Sequence, residues 1–473
     1  MNNKNIAKLF LILSLFFGTI LVFLVPAFNS PDEDSHFLYA YHISNGEFLP
    51  SVKNNISGFY DPVSISEDIK ENKKIIDHRD MKYSYDQMYD DQLLSQNYEE
   101  KSFSDSVVKS SPKLAYLAPA IGIKIAMLLP AFSGNDQNNT EVLLQFARFF
   151  SLLIYSIIGY YAIKITPKFK KSFFVVLLMP LSLFLRSMVT YDGILLVSTA
   201  LVLANIIRLI DDKDYKFTKK DLIMFVILGF ILFNVKMVYS IVFLGLFAVK
   251  EEKFENKKNK IKSIILIIFF VLLLTLIKQI PYTFINASSN NELASKQISH
   301  ILAHPLGYLK TLIINIIVQV KAQNYWMIGT LGYLDTYMPV LFVFLFEIFM
   351  FTIFFIDSFY EDIKFPLWLK VGYLILIIFD IFGMYTLMYI SWTPKVTNVI
   401  GGTEITGIQG RYFLPFLLLV PIIFSNKLLM KNKKSKIKQL LDKCKKFFEE
   451  NFHYVTVMGL VLMILILFMR YYC

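Results

Sequence analysis

Stretches of about twenty apolar residues recur along this chain, and lysine clusters bound most of them. A helix of that length crosses the hydrocarbon core of a bilayer. Only 18% of the 473 residues are charged, below the roughly 25% of ordinary soluble domains. Because the apolar runs lack polar faces, the pattern predicts an all-α polytopic membrane protein rather than a large water-soluble core.

The charge pattern predicts how the chain crosses the membrane. Lys4 and Lys8 place the N-terminus in the cytoplasm, since Lys and Arg concentrate in short cytoplasmic segments. The net charge of +11 lies largely in such segments, which favours contact with anionic lipid and no nucleic-acid partner. The first apolar run lacks a small-residue cleavage site and is expected to stay as a span. We predict about 11 transmembrane helices, at residues 6–28, 142–164, 172–189, 192–210, 221–235, 237–250, 262–281, 338–356, 368–389, 410–425 and 453–470.

The segments between these spans give the domain organisation, a single integral membrane domain over residues 1–473. Residues 29–112 form a large, acidic first extracytoplasmic loop, and residues 282–337 form a second one. Residues 426–452 form a Lys-rich cytoplasmic loop, and the C-terminus is expected outside. Two marginal apolar segments, residues 114–130 and 304–320, are expected to be juxtamembrane helices on the outer face instead of spans.

The stretch SPDEDSHF, directly after the first span, has two readings. Ser30 suits an N-cap and Pro31 a first helical position, and acids in a first turn favour the helix dipole by about 0.3–1 kcal/mol each. That reading does not explain His36, which lies one helical turn after Asp32 and Glu33 and can share a face with them. A carboxylate held at the membrane edge is also well placed as a general base.

Other polar residues lie near the predicted outer ends of the spans, where ionisable groups are candidates for function. Arg411 either anchors the chain at the interface or binds a phosphate, whose oxygens match a guanidinium. Lys236 has the same two readings. Asp192 lies at a turn between two spans, where a lone acid is more often a cap.

Six motifs follow one another in a characteristic order: SPDEDSHFLYAYHISNGEFLP, SPKLAYLAPAIGI, ARFFSLLIYSIIGYYAIKITP, RSMVTYDGILL, WMIGTLGYLDTYMP and GIQGRYFLP. The series resembles the DUF2142 family of bacterial multi-pass membrane proteins, which is similar to the GT-C class of glycosyltransferases. The resemblance implies a GT-C-like bundle that transfers a sugar from a polyprenyl-phosphate donor, such as an undecaprenyl-phosphate sugar. The acceptor would be a cell-envelope glycan or a teichoic-acid-like polymer outside the bacterial cytoplasmic membrane.

The resemblance also implies roles for particular residues. An acidic residue just after the first span is the catalytic base in that class, and this position falls on Asp32 or Glu33, with Asp32 preferred. His36 would orient the base, and Arg411, with Lys236, would stabilise the departing phosphate. A divalent metal could sit beside the acids, but no separate ligand set is visible, so no cofactor is predicted. Like His36, Lys236 and Arg411, four further residues are expected to bind the substrate or the donor: Asp192, Asp335, Gln409 and Tyr116.

Two alternatives stay open. A polysaccharide polymerase or ligase shares the span count and the polyprenyl substrate, although such proteins usually carry their large outer loop late in the chain. A lipid-linked glycan transporter is expected to show internal symmetry and ionisable residues at mid-membrane depth. The early acidic loop favours the transferase. Many oligosaccharide-transferring GT-C members have a large soluble C-terminal domain, but only a Lys-rich loop and one span are expected after Pro421. Recognition of a folded protein acceptor by such a domain is therefore not expected.

Overall fold

The computed structural model of the protein describes residues 3–84, 100–106, 108–129, 139–283, 292–361, 363–425 and 436–473. Helices dominate this part of the chain, and short antiparallel strands lie between them. The α-helices are α1 (Asn3–Leu24), α2 (Glu33–Ser44), α3 (Val63–Asn72), α4 (Leu117–Leu128), α5 (Thr140–Ile165), α6 (Lys170–Leu178), α7 (Pro180–Arg186), α8 (Tyr191–Asp211), α9 (Lys219–Val235), α10 (Lys257–Thr283), α11 (Glu292–Ala303), α12 (Pro305–Gly329), α13 (Val340–Tyr360), α14 (Leu367–Ser391), α15 (Thr393–Thr397), α16 (Leu414–Leu417), α17 (Val420–Phe424) and α18 (Lys436–Tyr471). The strands are β1 (Ser51–Lys53), β2 (Ile56–Pro62), β3 (Lys101–Asp105), β4 (Thr330–Leu331) and β5 (Thr336–Tyr337), and the 3-10 helices include Lys113–Tyr116, Met237–Ala248 and Gly410–Phe413.

Seven of the described helices are long and apolar enough to cross a membrane: α1, α5, α8, α10, α13, α14 and α18. An eighth span results if α11 and α12, which are bent by 107°, count as one. The chain is therefore a helical multi-pass membrane protein, as its hydropathy predicts. Helix α8 is the most buried of the seven: 83% of the most apolar stretch of α8 is buried, compared with 17% for α10. Other parts of the chain therefore surround α8 on most sides.

Four of the predicted spans are not single long helices, so eleven long spans are not confirmed. Residues 172–189 are divided between α6 and α7, and Pro180 begins the second of these. Residues 410–425 break into a 3-10 helix, α16 and α17, with Pro415 near the start of α16. Proline lacks the N–H that a continuous helix needs and clashes with the preceding turn. The other two, α9 and the 3-10 helix Met237–Ala248, have 17 and 12 residues.

Both predicted juxtamembrane segments contain helices. Helix α4 packs closely on α5, and a Cβ at Gly122 would lie 2.3 Å from the Phe146 carbonyl oxygen. Helix α12 has 25 residues and is longer than the predicted segment 304–320. It exposes apolar side chains along its length, including Leu306, Ile317 and Val318. Such an apolar surface suits contact with lipid.

The large first loop folds onto the end of α18. It contains α2, α3 and a sheet with the strand order β1-β2-β3, all antiparallel. The Tyr83 N–H donates to the Tyr471 carbonyl at 2.7 Å, and the Lys82 ammonium donates to the Met469 carbonyl at 3.1 Å. Arg470 donates to the Ile75 carbonyl at 2.7 Å. These contacts close the fold between two segments nearly 400 residues apart.

Part of the predicted Lys-rich loop is helical. Residues 426–435 lie outside the described residues, whereas residues 436–452 form the first turns of α18. Lysine is a good helix former, so a Lys-rich segment can extend a neighbouring apolar helix.

Candidate active site

Four charged side chains from distant parts of the sequence meet in one place, here called the charge cluster: Asp32, Asp192, Lys236 and Arg411. The Arg411 guanidinium lies 2.6 Å from Asp32 Oδ2 and 3.2 Å from Asp192 Oδ2. The Lys236 ammonium lies 3.3 Å from Asp192 Oδ1. With all four groups ionised, two positive charges face two negative ones.

Asp32 is the exposed member of the charge cluster. Its side chain is 53% exposed, whereas those of Arg411 and Asp192 are 5% and 6% exposed. Removing one member of a buried ion pair is costly, because it leaves an uncompensated charge away from water. Asp192 therefore holds Arg411 and Lys236 together inside the bundle. Asp32 is the member best placed to contact a ligand.

The backbone at Asp32 accounts for this exposure. Helix α2 begins at Glu33, and Asp32 is its N-cap residue with a left-handed φ of 62°. The expectation that Ser30 caps the helix and Pro31 begins it is therefore wrong by two residues. Arg411 is the physical reason, since it donates to the Pro31 carbonyl at 3.4 Å as well as to the Asp32 carboxylate. These contacts offset the cost of about 1–2 kcal/mol for a left-handed non-glycine residue.

The ends of α8 and α9 position the other two charges. The Thr190 hydroxyl accepts a hydrogen bond from the Asp192 N–H at 3.3 Å, so Asp192 lies in the first turn of α8. Lys236 is the C-cap residue of α9. Its ammonium lies 3.9 Å from the centre of the Tyr412 ring and 5.0 Å from that of Tyr191. Such cation–π contacts stabilise a desolvated ammonium.

Glu33, the second candidate base, faces away from the charge cluster and is fully buried. Its carboxylate accepts two hydrogen bonds from Arg148, at 2.8 and 2.6 Å, and one from the Val189 N–H at 3.0 Å. Arg148 is itself buried and also donates to three carbonyls near the end of α1, those of Val22, Val25 and Pro26. With its oxygens engaged in this way, Glu33 is less suited than Asp32 to accept a proton from a substrate.

Arg148 is the residue that sequence reasoning missed. The signal is present in QFARFFSLL, where an arginine interrupts an apolar run that is long enough to span. An ionisable group there is costly unless it has a partner, so a buried carboxylate elsewhere is implied. Arg186 is a second fully buried arginine, but it donates to Ser14 and to the Leu177 carbonyl and takes no part in the charge cluster.

His36 and Tyr116 form a buried pair beside the charge cluster. The His36 Nδ1 lies 2.7 Å from the Tyr116 hydroxyl, and the imidazole packs edge-on against Tyr191 with the ring centres 4.6 Å apart. Burial lowers the pKa of His36 to about 4, although Asp32 and Asp192 act in the opposite direction. Burial also raises the pKa of Tyr116. A neutral imidazole and a protonated phenol therefore share this contact at neutral pH.

The lowered pKa of His36 predicts a loss of stability in acid. Between pH 6.5 and about 4 the unfolded chain binds a proton at His36 that the folded protein does not, so the free energy of unfolding falls as the pH falls. The contribution is complete above pH 6.5 and its loss amounts to about 3 kcal/mol near pH 4. The measurement is the free energy of unfolding in micelles, plotted against pH for the wild type and for His36→Gln. The two plots should differ in slope across this range and run in parallel above pH 7. Parallel curves at every pH would contradict the prediction.

Asp335 and Gln409 lie near the charge cluster but are not part of it. Asp335 pairs with Arg470 at 2.9 Å, in the turn between β4 and β5. Gln409 lines a narrow crevice together with Arg411 and Trp326. The buried Oε1 of Gln409 has no hydrogen-bond partner among the described residues.

The described residues contain no group of three or more His, Cys, Asp or Glu side chains that could hold a metal ion. The acids after the first span are divided among different partners. Asp32 contacts Arg411, Glu33 contacts Arg148, and Asp34 pairs with Lys73 at 2.7 Å. That no divalent metal is required stays a prediction.

The fold and the site define a class of protein: a multi-pass helical membrane protein with an ion-paired polar site where the ends of several of its helices meet. Residues 15–420 match the model of the DUF2142 family, described as a predicted membrane protein. The chain belongs to this family, which confirms that part of the resemblance. No curated protein and no solved structure matches the chain. The similarity to the GT-C class stays a prediction.

Proposed function

We propose that this protein is a GT-C-like membrane glycosyltransferase, which moves a sugar from a polyprenyl-phosphate donor to a hydroxyl of a cell-envelope glycan. The observation that carries the proposal is the charge cluster. Two cations suited to a phosphate, Arg411 and Lys236, lie beside a half-exposed carboxylate, Asp32, that is suited to a general base. Reaction by single displacement inverts the anomeric carbon and needs one base.

In the proposed reaction, the Asp32 carboxylate takes the proton of the acceptor hydroxyl. The acceptor oxygen then forms a bond to C1 of the donor sugar, and the bond between C1 and the phosphate oxygen breaks. The electron pair of that bond leaves with polyprenyl phosphate. Arg411 and Lys236 stabilise the developing negative charge in a site that is largely shielded from water.

Asp192 has a supporting role in this scheme. It contacts both cations from the buried side, so they stay oriented when a ligand replaces Asp32. A donor phosphate at Arg411 exchanges with the Asp32 carboxylate, because both bind the same guanidinium. The exchange releases Asp32 for the acceptor. This links donor binding to activation of the base.

A cavity of about 630 Å³ between α12 and α13 suits the isoprenoid chain of the donor. Trp326 lines both this cavity and the narrow crevice at Arg411 and Gln409, so the two are adjacent. Apolar cavities with a few polar groups at one end are typical of sites for amphipathic ligands. The residues lining the cavity are Val318, Lys321, Ala322, Asn324, Tyr325, Trp326, Val340, Val343, Phe344 and Glu347.

The proposal places this site on the extracytoplasmic face of the bacterial cytoplasmic membrane. The lysines at the N-terminus and between the spans support that orientation. In the proposed topology the short helices α6 and α7, α9, the 3-10 helix Met237–Ala248, and α16 and α17 complete eleven crossings. The C-terminus then lies outside.

Arg411→Ala tests the phosphate role. We expect the KM for an undecaprenyl-phosphate sugar to rise about 10- to 100-fold, because a charge-assisted hydrogen bond contributes roughly 1.5–3 kcal/mol. The measurement is transfer of a radiolabelled sugar by purified protein in nanodiscs, with a panel of donor sugars. Arg208→Ala is the matched control, because Arg208 is partly exposed and lies 3.7 Å from Asp212 on the surface. An unchanged KM in Arg411→Ala contradicts the assignment.

A further inference from the structure

A second cavity, of about 340 Å³, lies where α11, α12 and α14 meet the segment that follows α15. Its lining combines aromatic rings, an imidazole, an ammonium and hydroxyls. The lining includes His300, Tyr308, Lys310, Thr311, Tyr389 and Thr403. Neither the charge cluster nor the proposed chemistry uses any of these residues.

Tyr308 is held as a rigid aromatic surface in this cavity. Its ring stacks on the buried Tyr389 ring with the centres 5.3 Å apart. The polar ends of both rings are engaged by the protein, because the Tyr308 hydroxyl contacts Thr386 and the Tyr389 hydroxyl donates to the Gly402 carbonyl at 2.9 Å. What Tyr308, which is half-buried, offers to a ligand is therefore its ring.

The opposite wall is built around Gly401. Its φ of +73° favours glycine, and a Cβ there would lie 2.4 Å from the His300 ring, so the backbone passes directly over the imidazole. The Gly401 N–H donates to Gln297 Oε1 at 2.9 Å. Gln297 is fully buried, so this hydrogen bond fixes the backbone at Gly401 from the side of α11.

Helix α12 and the chain segment that leads to Arg411 both extend from this cavity to the charge cluster. Three amide side chains on α12, spaced one turn apart, hold the segment 403–408: Asn315 donates to the Thr403 carbonyl, Gln319 to the Ile405 carbonyl and Gln323 to the Ile408 carbonyl, at 2.7–3.2 Å. The same segment continues to Arg411. From Thr311 to Trp326 the helix advances by 15 residue steps, which is about 22 Å along α12 at about 1.5 Å per step.

We propose that this cavity binds a sugar unit of an extended glycan acceptor, several units away from the hydroxyl that reacts at Asp32. An aromatic face covers the C–H face of a sugar ring, while hydroxyl, imidazole and ammonium groups and backbone carbonyls around it pair with the ring hydroxyls. The inference rests on the proposed function for the identity of the ligand as the acceptor. Its consequence is that the substrate is a polymer rather than a free monosaccharide.

Binding of defined bacterial oligosaccharides tests the inference without any transfer reaction. Full-length protein in phosphatidylcholine nanodiscs is applied to an array that carries cell-envelope oligosaccharides of two to eight units. We expect binding that strengthens with length, and at least tenfold weaker binding by Tyr308→Ala. Tyr308→Phe keeps the ring and should bind within about threefold of wild type, since the hydroxyl faces Thr386. Tyr161→Ala removes an exposed tyrosine elsewhere and serves as the matched control.

Each other outcome overturns the inference. Failure of the wild type to bind any oligosaccharide does so, as does equal binding by Tyr308→Ala and Tyr308→Phe. A third such result is loss of oligosaccharide binding by the wild type in nanodiscs that contain phosphatidylglycerol. Lys310 would then contact a lipid headgroup instead of a sugar. Measuring transfer with the same wild-type protein separates the two proposals: oligosaccharide binding by wild type that transfers no sugar from any donor supports this cavity and contradicts the proposed function, whereas Asp32→Asn should keep oligosaccharide binding and lose transfer.

Discussion

Asp32→Asn is expected to lower the rate of sugar transfer by about 10²–10⁴-fold, the usual contribution of a general base. Asparagine keeps the size of the side chain and one oxygen for Arg411, so the charge cluster should persist. What is lost is the group that accepts the proton. The measurement is kcat for transfer with saturating donor.

Asp34→Asn is the matched control for this prediction. Asp34 lies two residues away and pairs with Lys73 at 2.7 Å, in a contact where both side chains are partly exposed. Surface ion pairs contribute about 0–1 kcal/mol, so the rate should stay within about fivefold of wild type. If both variants transfer at the wild-type rate, the catalytic role given to Asp32 is wrong. If only Asp34→Asn fails, the base is misassigned.

Arg148→Met is expected to lower the free energy of unfolding by about 3–5 kcal/mol, the cost of breaking a buried ion pair by removing one partner. Glu33 would then be a buried carboxylate with one remaining donor, the Val189 N–H. The loss also releases three carbonyls near the end of α1 from their donor. The measurement is reversible unfolding in mixed micelles, followed by circular dichroism.

The double variant Arg148→Met with Glu33→Leu supplies the control. Replacing both partners by apolar residues of similar size removes the charges together, so the double variant should be more stable than Arg148→Met alone. A double-mutant cycle with Glu33→Leu isolates the interaction. Additive losses in this cycle, or a loss below about 1 kcal/mol for Arg148→Met, would show that the pair does not hold the fold at this point.

The sequence predicted the composition of the charge cluster better than its geometry. Each of its four members lies next to an apolar run: Asp32, Asp192, Lys236 and Arg411. Ionisable residues at such positions are few, so they can be recognised in the sequence. Their positions at helix ends follow from the alternation of spans and turns. Which carboxylate faces which cation does not follow, because pairing depends on helix packing across more than 100 residues.

Asp32 and Glu33 illustrate this limit. They are adjacent and chemically alike, and helical spacing puts both near His36. In the structure Asp32 pairs with Arg411 and Glu33 pairs with Arg148. The two side chains diverge because the left-handed backbone at Asp32 turns its side chain away from α2. No local pattern in SPDEDSHF indicates that conformation. It depends on a guanidinium almost 400 residues later in the chain.

Helix lengths show a different limit. The apolar runs identified the seven long helices, since hydropathy and length are both local properties. The segments with Pro180, Pro415 and Pro421 are just as apolar, but proline divides them into short helices. Hydropathy counts apolar residues and does not register a missing N–H donor.

The contacts between the first loop and α18 have a consequence for the order of assembly during synthesis. Lys82 reaches the translocation machinery long before Met469 and Arg470, its partners 387 and 388 residues later. At about 5–20 residues per second, the ribosome needs about 20–80 s to supply them. For that time Lys82 lacks the α18 carbonyls to which it donates in the folded protein. The segment carrying Asp32 is thus among the first to emerge, and the contacts that close the fold around it are among the last to form.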